Sequence, residues 1–354
     1  MQGKGIIRFS AAAVLCITVL LYNTFDYINI FLPSGKNTDN PSLIFFDDTL
    51  RETEEKEETI KEENTQQTTQ NTEQTSSQEV SSEKSVETLT GAVKGKIISG
   101  YVSPYTAPIS YNKVYMKNST SASVDIKSML EGKIGFSIEE NSQPQVLIMH
   151  THTTETYMLS DTEYYTEDYT SRTTDNSKNM VKVGEKVAEI LNAAGIKTLH
   201  AKEQHDYPKY NGSYTRSAET VKEYLEKYPS IKIVLDLHRD AITSGESDKK
   251  KLVTEIEGKK AAQVMLVMGS QTGSVTNHPN WQENLKLAVK LQQTMEKKYP
   301  TLARPISLVS SKYNQNLTTG SLLIEFGTDA NTLDEAVYSA QLVGNALTEL
   351  LKGL

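Results

Sequence analysis

The side chains best suited to chemistry in this chain of 354 residues lie in one stretch, QVLIMHTHTTETY, residues 145–157. Four consecutive apolar residues, Val146 to Met149, read as a buried strand, and the chain leaves it through His150, His152 and Glu155. Imidazole and carboxylate together are what a catalytic zinc accepts. His152 and Glu155, three positions apart, can turn toward one point if the loop curls by about one turn. In an open α/β sheet, ligands bind beyond the carboxyl ends of the strands, where loops converge on one crevice. A lone histidine after a strand is more often a surface or capping residue, but two histidines and a glutamate between positions 150 and 155 weigh against that reading.

Two further strands carry chemistry to their ends. IKIVLDLHRD, residues 231–240, delivers His238 and Arg239, and SLLIEFG, residues 321–327, places Glu325 inside an apolar run. A buried carboxylate is costly unless it is paired. The plain alternatives are a salt bridge from Glu325 to a lysine or to Arg239, and a hydrogen-bonded core role for His238. Asp236 and Asp240 read first as structural carboxylates, Asp236 with the option of orienting a ligand histidine and Asp240 of capping a loop. His200, His205 and His278 lie in polar loops and read as structural. If the strand ends converge, His152, Glu155 and His238 supply three ligands to zinc and leave a position for water. Glu325, held off the metal, then takes the proton of that water and passes it to the leaving nitrogen, while Arg239 steadies the oxyanion. That chemistry is metal-assisted amide hydrolysis.

The elements that must position these residues alternate as in α/β proteins. After the first strand, residues 179–194 put Val183, Val187, Ile190 and Leu191 on one helical face, and Gly195 ends the helix. A strand over 196–199, a helix over 215–228 stopped by Pro229, a strand over 231–237 and a strand over 263–268 follow. A helix over 281–299, the LLIEFG strand and a helix over 333–351 complete the pattern. The expected fold is a three-layer α/β domain with a mostly parallel central sheet over residues 141–354. Residues 91–140 are expected to be a transition segment on its edge, with a short strand at 114–116 and a short helix at 124–130.

Ahead of the domain the composition changes. Residues 1–46 carry a net charge of +1, residues 47–87 set four basic against thirteen acidic side chains, and residues 88–354 sum to zero. A folded part that is electrically neutral does not suit a nucleic-acid binder, which would present a basic face. Residues 31–90 are expected to form a disordered acidic and polar linker, since residues 47–90 hold almost no large apolar side chains to offset the entropy of ordering. Its core, residues 47–90, would reach about 35–40 Å as a flexible chain. Residues 1–30 hold a short apolar run behind Lys4 and Arg8. No small residues precede a cleavage point, so an uncleaved membrane anchor over about residues 6–27 is expected, basic end inside, with a cleaved signal as the alternative. Cys16, the one cysteine, lies in this run, which excludes an intrachain disulfide.

Taken together, HTHTTETY (150–157), KVGEKVAEIL (182–191), IVLDLHRDA (233–241), YNQNL (313–317) and LLIEFGTDANTLDEA (322–336) resemble the stage II sporulation protein P family, over about residues 113–352. The resemblance implies a fold similar to zinc-dependent N-acetylmuramoyl-L-alanine amidases. It implies hydrolysis of the link between glycan and stem peptide in peptidoglycan, with endopeptidase action on the peptide crosslinks also attributed to the family. The implied setting is forespore engulfment, with the chain anchored in the mother-cell membrane and its domain in the intermembrane space. The implied partners are the stage II sporulation proteins D, a lytic transglycosylase, and M, a polytopic membrane protein. In the amidase pattern His238 and Glu325 match a zinc ligand and the catalytic glutamate. The first histidine is either His150 or His152. The helical glutamate of the amidases has no counterpart, since TDNSKNM precedes KVGEKVAEIL; the His-x-x-Glu of zinc carboxypeptidases, reproduced by His152 and Glu155, is the nearer analogy. Two other functions stay open: a metal-free module that binds peptidoglycan or a partner, and a zinc carboxypeptidase acting on stem peptides. The latter would want an arginine for a free carboxylate, and sequence does not choose among Arg172, Arg216 and Arg239.

Overall fold

The structure, a computed structural model, describes residues 91–139 and 143–354. The anchor, the linker and Cys16 lie outside the described residues. Among the described residues no helix is long and apolar enough to cross a membrane.

In chain order the elements are β1 (Val93–Gly100), β2 (Ile109–Tyr111), β3 (Val114–Asn118), α1 (Ile126–Glu131), β4 (Val146–Met149), β5 (Tyr164–Thr166), α2 (Met180–Ala193), β6 (Thr198–His200), α3 (Ser213–Lys227), β7 (Ile233–Asp240), β8 (Thr243–Ser244), β9 (Asp248–Ile256), β10 (Lys259–Ala262), β11 (Val264–Gly269), α4 (Trp281–Lys298), β12 (Ile306–Val309), β13 (Ser321–Thr328) and α5 (Leu333–Lys352).

The main sheet runs β2-β3-β12-β11-β13-β7-β4-β6. All its pairings are parallel except β2 with β3 and β11 with β13. The antiparallel contact between β11 and β13 divides the sheet by direction. β13, β7, β4 and β6 bring their carboxyl ends to one edge, and β11, β12 and β3 bring theirs to the opposite edge. The histidine and glutamate strands thus share an edge.

Alternation along each strand sorts the side chains between the faces. Ile148, Leu235, Leu237, Ile324 and Phe326 enter the large core that also takes in Val183 and Val187 of α2, Leu285 and Leu291 of α4, and Val343 and Leu347 of α5. Leu147, Met149 and Val234 point the other way and pack with Val221 of α3. On that second face Met265, Val267 and Leu323 pack with Tyr313. Helices therefore cover both faces, which is why β4 reads as an unbroken apolar run: its four residues are all buried. The Asn179 side chain caps α2 by accepting from Val181 N, and α5 opens on a capping box between Thr332 and Glu335.

Two features depart from the sequence expectation. The strand expected over 231–237 extends to Asp240, because β13 supplies a paired neighbour along its whole end, with Glu325 in register with His238. A second sheet, β10-β9-β1-β5 with β8 on β9, is built from segments whose charges hide them. In β9, DKKKLVTEI, lysines fill the first half, yet Lys251 is buried and its Nζ lies 2.7 Å from a Glu335 carboxylate oxygen. The segment 91–139 contributes β1 to this second sheet and β2 and β3 to one edge of the main sheet.

A candidate metal centre at the strand ends

The loop leaving β4 sends its two histidines in different directions. His150 continues the strand's alternation toward α2. Its Nδ1 donates to Leu237 O at 2.9 Å, and its Nε2 lies 2.9 Å from His200 Nε2. Burial pushes both imidazoles down, His150 to about 4 and His200 to about 2, so neither carries charge at neutral pH. Gly184 of α2 makes room for this pair: a Cβ there would stand 2.6 Å from His200 Nε2 and 2.7 Å from His150 Nε2. Gly184→Ala is therefore expected to destabilise the fold by about 1–3 kcal/mol, since two packed rings must shift. An unchanged denaturant midpoint would show that the pair is not held this tightly.

His152 points to the other side. Its Nδ1 lies 3.4 Å from Glu155 Oε1, and His238 Nδ1 lies 3.8 Å from Glu155 Oε2. One donor atom from each of His152, Glu155 and His238 falls within 4.8 Å of the others, and all three residues are buried, at 3–5 % exposure. The structure thus brings together three of the four candidate ligands and directs His150 away from them.

Asp236, two residues before His238 on the same face of β7, explains how the centre is held. Its Oδ1 lies 2.8 Å from His238 Nε2 and accepts from Thr151 N, while its Oδ2 accepts from Thr151 Oγ1 at 2.7 Å. One carboxylate therefore fixes the imidazole and pins the loop that carries His152. Burial alone would lower the His238 pKa, but Asp236, then Glu155 and Glu325, lift it to about 10. Burial alone would raise the Glu155 carboxyl, but Arg239, His152 and His238 hold it well below the usual carboxylate range. The pocket gathers carboxylates around imidazole nitrogens and calls for positive charge.

Arg239 does not face this pocket. Alternation puts it on the opposite side of β7 from His238, where Nε donates to Thr156 O at 3.1 Å and Nη2 to Ser171 O at 2.8 Å. Its main-chain N–H donates to Glu155 Oε2 at 3.2 Å. Its place is that of a support for the Glu155 loop, unlike the oxyanion position expected from sequence.

Glu325 lies beside His238 on the neighbouring strand. Its Oε2 is buried with no hydrogen-bond partner among the described residues. Burial raises its pKa to about 8; His238 opposes this, while Asp240 and Glu155 reinforce it. The alternative reading, a salt bridge from Glu325 to a lysine or to Arg239, finds no such ion pair among the described residues. Arg304, whose charge weakly opposes the rise in pKa, is engaged by Asp240 Oδ2 at 2.9 Å.

Several residues of the site carry no signal in the sequence. Asp206 accepts from Thr154 Oγ1 and from Arg172 Nη1, each at 2.6 Å. Tyr210 stacks on His152 with ring centroids 4.8 Å apart, and the Arg172 guanidinium lies 4.5 Å from the Tyr210 centroid. Tyr214 meets His152 edge to face at 5.6 Å. Asp206 and Tyr210 sit in the polar loop ahead of α3, and Tyr214 in the first turn of α3, with no motif to tie them to His152. His205 is structural, its Nδ1 on His150 O at 2.7 Å and its Nε2 on Thr220 Oγ1 at 2.9 Å. His278 is buried after β11, a strand that runs toward the opposite edge.

The fold and site define an α/β domain with a buried His–Glu–His cluster at the carboxyl edge of its sheet, together with a carboxylate one strand away. The family model described as stage II sporulation protein P (SpoIIP) matches residues 28–348, and the chain belongs to that family. Stage II sporulation protein P of Bacillus subtilis (strain 168) is 32 % identical over 216 residues, which are 58 % of this chain and 50 % of that relative. The matched part thus spans about half the length of that relative. Among solved structures, the CwlD amidase from Clostridioides difficile in complex with the GerS lipoprotein is similar at 13 % identity and a TM-score of 0.36, covering 59 % of this chain and 100 % of that one. The N-acetylmuramoyl-L-alanine amidase AmiC2 of Nostoc punctiforme is similar at 11 % identity and a TM-score of 0.34, covering 60 % and 98 %. Both structural resemblances are distant.

Proposed function

We propose that the chain is a zinc-dependent peptidoglycan hydrolase that cleaves the amide between N-acetylmuramic acid and L-alanine of the stem peptide, and also peptide crosslinks, during forespore engulfment. The observation that carries this reading is the convergence of His152, Glu155 and His238, with Glu325 in register beside His238. Two imidazoles and one carboxylate are a donor set that catalytic zinc takes while keeping a position for water. Bound zinc would supply a Lewis acid that polarises the scissile carbonyl and lowers the pKa of water toward about 7.

The chain's own residues do the rest. Glu155, kept anionic by Arg239, and the two histidines would hold the cation. Asp236 Oδ1 stands 2.8 Å from His238 Nε2, leaving Nδ1 on the side of Glu155 and the centre. Glu325 takes a proton from the attacking water and returns it to the departing nitrogen, which needs a carboxylate nearby but not ligated. Asp236→Asn should weaken zinc binding by about 10–100-fold, the range for losing a ligand's supporting partner. Competition with a chromogenic chelator reads this directly, and an unchanged affinity would remove Asp236 from the centre.

A zinc carboxypeptidase is less well supported. Arg172 is bound to Asp206, Arg216 donates to the main-chain oxygens of His205, Lys209 and Asn211, and Arg239 is held by Thr156 and Ser171, so each arginine is already engaged. On the family's pattern we further propose anchoring by the N-terminal segment, exposure of the domain outside the cytoplasm, and assembly with stage II sporulation proteins D and M. Mass spectrometry of muropeptides digested by the zinc-loaded protein tests the reaction. Free stem peptides beginning with L-alanine are expected; loss of terminal residues alone would indicate a carboxypeptidase, and an unchanged digest a binding module.

A further inference from the structure

The YNQNL turn, residues 313–317, takes no part in the reaction as derived, yet it is built with unusual care. Tyr313 and Asn314 both adopt left-handed backbone conformations, φ 47° and 54°, which side chains other than glycine rarely enter. A set of amides holds them there. Asn314 Nδ2 donates to Tyr214 O at 2.8 Å and to Ser217 Oγ at 3.0 Å. The buried Gln315 accepts from Gly269 N at 2.9 Å and donates to Val267 O at 2.8 Å, while Asn284 Nδ2 donates to Gln315 O at 2.6 Å.

What this bracing presents is the Tyr313 ring. It lies 5.7 Å from the Tyr214 ring, tilted by 45°, and Tyr214 in turn lies 5.6 Å from the ring of His152. The two tyrosines therefore continue the candidate metal centre as an aromatic wall. Beneath Tyr313 are Met265, Val267 and Leu323, on the same face of the sheet as Glu325. β13 is paired on both sides, by β11 and β7, so an extended peptide laid here would find no open strand edge. Met265, Val267 and Leu323 are buried under Tyr313, so recognition on this side falls to the tyrosine ring face, and that suits the C–H face of a pyranose, with its hydroxyls at the rim.

Resting on the muramoyl amidase reading above, we propose that Tyr313, with Tyr214, is the wall on which the saccharide ring of the substrate lies, and that the YNQNL turn exists to hold it there. Tyr313 is a substrate-binding residue that positions the sugar, leaving the bond-breaking to the centre.

The test compares zinc-loaded wild type, Tyr313→Ala and Tyr313→Phe in steady-state cleavage of a soluble disaccharide-peptide, and in binding of the same disaccharide without peptide, followed by NMR. Tyr313→Ala should raise KM by about tenfold and leave kcat within about twofold, the pattern of lost binding that is equal in ground and transition states. Tyr313→Phe, which keeps the stacking face, should stay within about threefold of wild type. Disaccharide binding should fall with alanine and persist with phenylalanine, and zinc content should stay at the wild-type level in both. An unchanged KM and disaccharide affinity in Tyr313→Ala would overturn the assignment, as would a loss confined to kcat or a loss of zinc. If wild type cleaves no disaccharide-peptide, the amidase reading fails, and the binding arm still decides whether Tyr313 meets a sugar.

Discussion

His238→Ala is expected to bring bound zinc well below one per chain and to reduce amide cleavage at least about a thousandfold. The expectation follows from where His238 stands. It lies two residues beyond the end of the β4 pairing, on the stretch of β7 that β13 still pairs, with Glu325 opposite it in register, and that ladder fixes its backbone. Its imidazole sits between Asp236 and Glu155, and removing it takes a balancing partner from two buried carboxylates, leaving Asp236 with the Thr151 donors and Glu155 with Arg239 and His152. The substitution should therefore also lower the stability of the metal-free protein. Elemental analysis with a muropeptide digest on the same sample checks the two losses together. Full zinc content in the variant would exclude His238 as a ligand.

Glu325→Gln should behave differently. The amide keeps the size of the carboxylate, and Glu325 is not among the three residues that converge, so zinc content should match wild type while turnover falls by about 10²–10⁴-fold. Its effect on stability has a definite sign. In the metal-free fold the Glu325 pKa is raised from 4.5 to about 8, so between those pH values the native state holds a proton that the unfolded chain has released. Stability from this group is complete below about pH 4.5 and declines as pH rises toward 8. Glutamine removes that decline, and the variant should lose less stability than wild type between pH 5 and 8 without metal. Wild-type turnover in Glu325→Gln would remove the residue from the mechanism, and identical pH profiles of stability would show that its carboxyl ionises normally.

Much of the site was legible because buried parallel strands leave a plain signature: unbroken apolar runs that end in polar residues. VLIM, IVLDL and LLIEF could be read as strands that carry His150, His152, His238 and Glu325 toward one edge. The sequence could not choose between His150 and His152, because the choice depends on where alternation stops and the loop turns. One residue of continued strand geometry sends His150 under α2 to meet His200. The same period-two rule takes Arg239 away from the pocket once β7 is known to extend to Asp240. Asp206, Tyr210 and Tyr214 were illegible for another reason: their relation to His152 exists only after α3 packs beside β4. The second sheet was hidden by lysines whose charges are balanced by residues far along the chain, as Lys251 is by Glu335.

His152, Glu155 and His238 are expected to hold one divalent ion between them. Anomalous diffraction at the zinc edge from crystals of the zinc-loaded protein tests it most directly. A single strong peak within bonding distance of one atom from each of these residues, with Glu325 near but outside the coordination shell, is the result expected. A peak between His150 and His200, or none at the strand ends in active protein, would contradict it.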